Sequence, residues 1–284
     1  MSMAEKGKAN EITSKLLAWR TWIQSAFLLL WLDPLSLRLH GICAPVFHCY
    51  SCPLATFACP IGILAGFGAL HIFPFAAIAI LVLAGAIFGT FLCGFACPFG
   101  FLQDLAAKAP TPKFELPKWT GYFRYVVLIG TVLAVPYFLG KDHFLYICRI
   151  CPAGALEGAV PNVVKLAVSG DTIIWPSVLK SAILILFAVA IFFNHRPWCT
   201  VFCPLGAILG LFNRFSVFFM RINADKCNDC NLCHSLCNYG VYPDKNADDS
   251  QCARCLECTK CGAGAITVGS IFERSTTTAE HAKG

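Results

Sequence analysis

Charge is scarce in this chain of 284 residues: only 13% of its side chains are Asp, Glu, Lys or Arg, against about 25% in an ordinary soluble domain. Acidic residues are the scarcer kind, 16 against 22 basic ones, for a formal net charge of +6. The basic surplus does not gather in a stripe. It flanks apolar segments, which argues against nucleic acid as a partner and for orientation in a membrane, with lipid as the surrounding solvent. GxGxxG, P-loop and GxSxG patterns are missing too, so neither nucleotide binding nor serine hydrolysis is expected. Residues 1–15 have no continuous apolar run and no small-residue cleavage site; they read as a cytoplasmic tail, not a signal peptide.

Apolar residues and cysteine are plentiful: 57% of the chain is hydrophobic and 18 residues are Cys. Four apolar runs approach the roughly 20 residues that cross a bilayer. They are Leu16 to Leu39, a run within Ile61 to Leu92, Tyr122 to Leu139, and the shorter Val178 to Phe193. Lys15, Arg20, Lys108, Lys113, Lys118, Arg124, Arg196, Arg214 and Arg221 fall on one side of these runs; Arg38, Lys141, Arg149, Lys165 and Lys180 fall on the other. The positive-inside rule then puts both termini in the cytoplasm. The expected fold is mainly α, a four-helix transmembrane bundle over residues 16–221, multi-pass in the cytoplasmic (inner) membrane.

After Arg221 the composition turns polar and rich in cysteine, marking a small α+β domain at 222–270 and a tail at 271–284. Its cysteines read CNDCNLCHSLC and then CARCLECTKC. These runs resemble the paired CxxCxxCxxxCP signature of bacterial two-cluster ferredoxins, where the last cysteine of each run serves the other cluster. The resemblance implies Cys227, Cys230, Cys233 and Cys261 for one 4Fe–4S cluster, and Cys252, Cys255, Cys258 and Cys237 for the second. The chain departs from the pattern twice: Asn238 stands where proline follows Cys237, and the second run closes with two intervening residues and Gly262. Structural zinc is the plain alternative, since CxxC pairs also make tetrahedral sites. Cys230, Cys233 and His234 also spell CxxCH, the c-type haem signal, but both cysteines belong to the larger pattern and no haem is expected.

The apolar part carries an internal repeat: Cys49 and Cys52 followed by Cys93 and Cys97, then Cys148 and Cys151 followed by Cys199 and Cys203. Proline after Cys97 and Cys203 favours a turn and a helix start, and the glycine two residues on lets backbone approach sulfur. Cys93, Cys97, Cys199 and Cys203 fit one cluster at the inner ends of two runs. Grouping by side gives an outer set of Cys148 and Cys151 with Cys49 and Cys52, leaving Cys59 or Cys43 as alternates or as a disulfide. Buried free thiols are the plain reading of that outer set. For a quinone, a proton-accepting group beside an apolar cleft is needed; His195, His71, His143 and Asp104 are candidates, with His195 favoured because it adjoins Arg196 and Cys199.

Two CxxxCP motifs after apolar runs, with a C-terminal double ferredoxin, resemble the membrane polyferredoxin family, which includes the quinol dehydrogenase subunits of periplasmic nitrate reductase systems. The resemblance covers the chain from the first apolar run to about Val268. It implies an electron-transfer subunit with up to four 4Fe–4S clusters, passing electrons between quinol or quinone and other subunits of a redox complex, such as a multihaem cytochrome or a periplasmic ferredoxin-like subunit. The competing expectation is a maturation factor that supplies electrons or thiol exchange for assembly of another metalloenzyme. Cys43, Cys49, Cys52, Cys59, Cys148 and Cys151 exceed what the nitrate-system subunit needs.

Overall fold

The computed structural model describes residues 3–31, 43–46, 49, 57–114, 116–170, 172, 175–223, 226–261 and 264–271. Cys52, residues 32–39 of the first expected span and the tail beyond residue 271 lie outside them. The described chain is mainly helical with one two-stranded sheet.

Four transmembrane helices are not what these residues form. Among the described residues one helix, α5 (Lys118–Leu139), is long and apolar enough to cross a membrane. Helix α1 (Met3–Trp31) is long, but its first half carries Glu5, Lys6, Lys8, Glu11 and Lys15, and it inserts Arg20 and Gln24 into the protein. The second apolar run is broken by a turn at residues 70–74, with His71 in the left-handed region (φ 57°) and Pro74 preceding the next helix. It becomes α2 (Pro60–Ala69) and α3 (Phe75–Phe88), of 10 and 14 residues. The last run is α8 (Val178–Phe193), 16 residues between a Ser177 cap and Asn194. At 1.5 Å per residue α2, α3 and α8 each fall short of a hydrocarbon core of about 30 Å. Apolar content thus overstated the number of spans, because turn residues cut the runs into short helices that pack on one another.

Between these lie α4 (Pro98–Ala106), α6 (Ile147–Ile150), α7 (Val160–Ser169) and α9 (Pro204–Leu211). A wide turn with i→i+5 bonding precedes α4 and α9: Cys97 N–H donates to Leu92 O at 2.9 Å, and Cys203 N–H to Trp198 O at 2.8 Å. Such widened turns arise where the chain must accommodate an extra residue, often at functional sites. Here each turn spans a CxxxC segment. The apolar core gathers Ile61, Phe99, Ala153 and Leu205 with Leu64, Val132, Ile147 and Leu209.

In the C-terminal module β1 (Phe218–Ile222) pairs antiparallel with β2 (Ile266–Ser270), Phe218 opposite Ser270 and Ile222 opposite Ile266. The cysteine loops lie between the strands. They share a backbone: Asp229 and Asn231 flank Cys230 with φ of 51° and 56°, and Arg254 and Leu256 flank Cys255 with φ of 48° and 65°. Left-handed residues beside a cysteine turn successive N–H groups to one side, a concavity suited to an anion. The module docks on the helices by polar clamps. Thr90 Oγ1 donates to Cys252 O at 2.7 Å, and Asn213 Nδ2 to the same oxygen at 3.0 Å. Arg254, wholly buried, donates from Nη2 to Asn213 O.

Candidate metal centre

Cys93, Cys97, Cys199 and Cys203 line one cavity. The wide turns bring the two sulfurs of each CxxxC to the same side, and proline, unable to continue the turn's bonding, starts the following helix. Cys97 and Cys203 each cap their helix, and the N–H groups of Gly100 and Gly206 donate to their sulfurs at 3.4 and 3.3 Å. Gln103 Nε2 donates to Cys199 Sγ at 3.1 Å. Burial pushes the Cys93 thiol up to about 12; the nearby Cys199 adds to the shift while Arg196 and Arg124 oppose it. Thiols held so high surrender their protons when a cation arrives to stabilise the thiolates.

Around this cavity lies a charged latch that the sequence did not announce. Arg196, fully buried, donates from Nε to Asp104 Oδ1 at 2.6 Å, from Nη2 to Asp104 Oδ2, and from Nη1 to Cys93 O at 2.9 Å. Arg20 reaches from α1 to Asp104 Oδ2 at 2.6 Å and to Glu257 Oε1 at 2.8 Å. Burial alone would raise the Asp104 carboxyl, yet Arg196, His195 and Arg20 hold it well below the usual carboxylate range. The run His195-Arg196 ahead of Cys199 hints at this, but Arg196 meets Asp104 across 92 residues of chain.

In the module, Cys227, Cys230, Cys233 and Cys261 line a second cavity. Cys252, Cys255 and Cys258 lie within electrostatic reach of one another and of Cys237. His234 stacks on Tyr242 at 3.8 Å, with Nδ1 3.0 Å from Val241 O. Cys252 and Ala253 also form part of the wall of the first cavity. That approach depends on Gly94, where a Cβ would meet Ala253 O at 2.8 Å.

Of the outer set, Cys49, Cys148 and Cys151 gather with Cys59. Cys43 faces Ala58 across an isolated bridge, its Sγ toward Ala44 O. Among the described residues no three His, Cys, Asp or Glu side chains converge as ligands of a single ion. Thiolate-only donors spread around a cavity suit a multi-iron cube better than a tetrahedral zinc site, where sulfurs approach one point at about 2.3 Å.

His195 Nε2 lies 3.4 Å from Asp104 Oδ1 on the wall of a cavity of about 770 Å³ that Arg20, Lys108, Glu257 and Lys260 also line. His71 is elsewhere, exposed at the α2–α3 turn with its ring 4.6 Å from Tyr137. His143 accepts at Nδ1 from Leu145 N–H at 3.3 Å.

Residues 69–117 and 174–223 match the model of a 4Fe–4S binding domain family, and each match contains one CxxxCP pair of the first cavity. An uncharacterized protein of Methanocaldococcus jannaschii is 31% identical over 210 residues, covering 70% of this chain and 80% of that one. The chain belongs to the polyferredoxin-like family of 4Fe–4S proteins. As a polyferredoxin-like protein it is an iron–sulfur electron-transfer protein. The regulatory protein NosR of Stutzerimonas stutzeri is 28% identical over 190 residues, 65% of this chain and 24% of that one. The methylamine utilization ferredoxin-type protein MauN of Paracoccus denitrificans is 28% identical over 152 residues, 52% and 48% of the two chains. No solved structure matches the chain.

Proposed function

We propose that this polyferredoxin-like chain carries electrons between a quinol and redox partner subunits at a membrane, with 4Fe–4S clusters at three cysteine sets: Cys93, Cys97, Cys199 and Cys203; Cys252, Cys255, Cys258 and Cys237; and Cys227, Cys230, Cys233 and Cys261. One observation carries the reading: Cys252 and Ala253 belong to the wall of the cavity lined by the first set. Two donor sets therefore abut, as sites in series must. Bound clusters supply one-electron storage, their potentials set by charge, hydrogen bonds and burial. The chain supplies the rest. Gly100 and Gly206 N–H groups and Gln103 brace sulfur, while Arg196 and Arg124 offset added negative charge.

The quinol is read into the cavity beside His195, whose volume falls in the range of small-molecule sites. A quinol sheds protons as it gives up electrons, and His195 Nε2 is the acceptor at that wall. Asp104, kept ionised by Arg196, holds the imidazole at that wall. Helix α5 is read as the element that anchors the chain in the membrane. Lys108, Lys113, Lys118 and Arg124 precede or open it and only Lys141 and Arg149 follow closely, so its N-terminal end faces the cytoplasm. The module shares that side, since Gln251 Nε2 donates to Lys118 O at 2.8 Å. Partners would be further subunits of a redox complex, a multihaem cytochrome or a periplasmic ferredoxin-like subunit among them.

Anaerobic mixing of the full chain with a short-chain quinol, followed by cluster bleaching, tests this. His195→Ala should slow reduction by about tenfold or more, an effect typical of losing a proton acceptor, and should flatten its pH profile. Reduction of the variant at the unaltered rate would overturn the quinol site. The exposure of Cys148 favours a second reading, thiol or electron supply to the assembly of another metalloenzyme; it requires a reversible disulfide there with no iron nearby.

A further inference from the structure

The outer cysteines repeat the architecture of the inner set at the level of a four-residue turn. Cys-Pro-x-Gly occurs at 59–62, 97–100, 151–154 and 203–206. Each cysteine has extended backbone, with φ between −77° and −69° and ψ between 110° and 124°. Proline follows each cysteine at the start of a helical segment. In three copies the glycine N–H donates to its own cysteine sulfur at 3.3 to 3.4 Å. In the fourth, Gly62 occupies the same place beside Cys59 without that bond, a Cβ on it lying 4.0 Å from Cys59 Sγ. The variable residues Ile61, Phe99, Ala153 and Leu205 are all buried in one core.

Two copies, at Cys97 and Cys203, belong to the inner cavity. The other two bring Cys59 and Cys151 together, and each comes with a second cysteine from its own half of the repeat: Cys49 and Cys148. The composition is that of the inner set, one Cys-Pro-x-Gly and one further cysteine from each half. Gly62 stands between the two halves, since a Cβ on it would be in van der Waals contact with Cys148 Sγ at 3.8 Å. Cys49 is pinned from a distant part of the chain, its N–H donating to Glu157 Oε2 at 2.8 Å. Cys52 heads Cys-Pro-Leu-Ala, without the glycine.

We infer that Cys49, Cys59, Cys148 and Cys151 hold a further 4Fe–4S cluster, with Cys59 as the ligand from its loop in place of Cys52. Cysteines that gather at one site without converging on a point fit a cube better than a single ion. The inference rests on the electron-carrier reading, and the test separates the two.

Iron and acid-labile sulfide are measured per full-length chain after anaerobic purification, with EPR of the reduced protein. The intact chain should hold about sixteen irons. Cys59→Ser and Cys151→Ser should each lose about four while the signals of the other clusters persist, which also reports that the variants have folded. Cys52→Ser should keep the full content. About twelve irons in the intact chain, unchanged by Cys59→Ser, would overturn the outer site and leave the carrier reading standing. Loss of about four irons in Cys52→Ser with full content in Cys59→Ser would also overturn it. Zinc in place of iron would overturn both.

Discussion

The inner and outer cysteine groups share a backbone cradle and differ in what surrounds it. Beside the inner four stand Arg196, Arg20 and Arg124, with Asp104 as their counter-ion and the C-terminal module packed against the opening. Beside the outer four stand a buried carboxyl, Glu157, and Lys180. Cys148 is exposed there, whereas Cys97 and Cys203 are buried. A turn that presents N–H groups to sulfur thus serves as a common socket, and long-range partners tune it. Cations near the inner set lower the cost of an added electron. Beside the outer set burial pushes the Glu157 carboxyl up to about 7, so it carries less than a full negative charge, and Lys180 is the single cation there among the described residues. Such surroundings shift potentials without any change of ligand, so the inner group should be the easier to reduce.

The largest difference should appear on removing the counter-ion. Asp104→Asn strands Arg196 and Arg20 in a buried place and should cost on the order of 3–5 kcal/mol, read from denaturant unfolding. Glu157→Gln, which exchanges one acceptor for another, should cost about 1 kcal/mol or less. Equal losses would erase the distinction between the two surroundings. A smaller contrast concerns close approach. Gly94→Ala, which sets a Cβ 2.8 Å from Ala253 O, should cost about 1–3 kcal/mol through overpacking and loosen the module, seen as faster proteolysis between residues 223 and 265. Gly154→Ala meets nothing nearer than 3.6 Å and should change stability little.

The smallest effect is an expected absence of change. Because the Asp104 carboxyl is held below its ordinary range, the stability it brings is fully present above about pH 4 and goes only as pH falls through the lowered value. The latch should therefore contribute equally at pH 5 and pH 8. A loss of stability at pH 5 that is absent from Asp104→Asn would contradict this.

What could be read from the chain follows from how local each signal is. Cys93 and Cys97, or Cys227 and Cys230, sit a few residues apart, so spacing alone brings their sulfurs to one side. The Arg196–Asp104 latch joins residues 92 apart, and no composition or period encodes such a pairing. Cys59 lies between these cases: Gly62 three residues on makes it a local match to Cys97, while the CxxC at Cys49 and Cys52 offers a rival pairing that is just as local. Spans were miscounted for a different reason. Hydropathy registers burial of any kind, and α2, α3 and α8 hide part of their apolar surface against their neighbours.

The pairing of turns also bears on how the chain comes into being. Each cysteine group takes two members from residues 49–97 and two from residues 148–203, so neither half carries a complete set of donors. A nascent chain that has emerged only as far as α5 can close neither group, and its short apolar helices wait without their counterparts. Completion becomes available only once Cys203 has left the ribosome, which makes the unfinished chain the form most in need of protection from air and from aggregation.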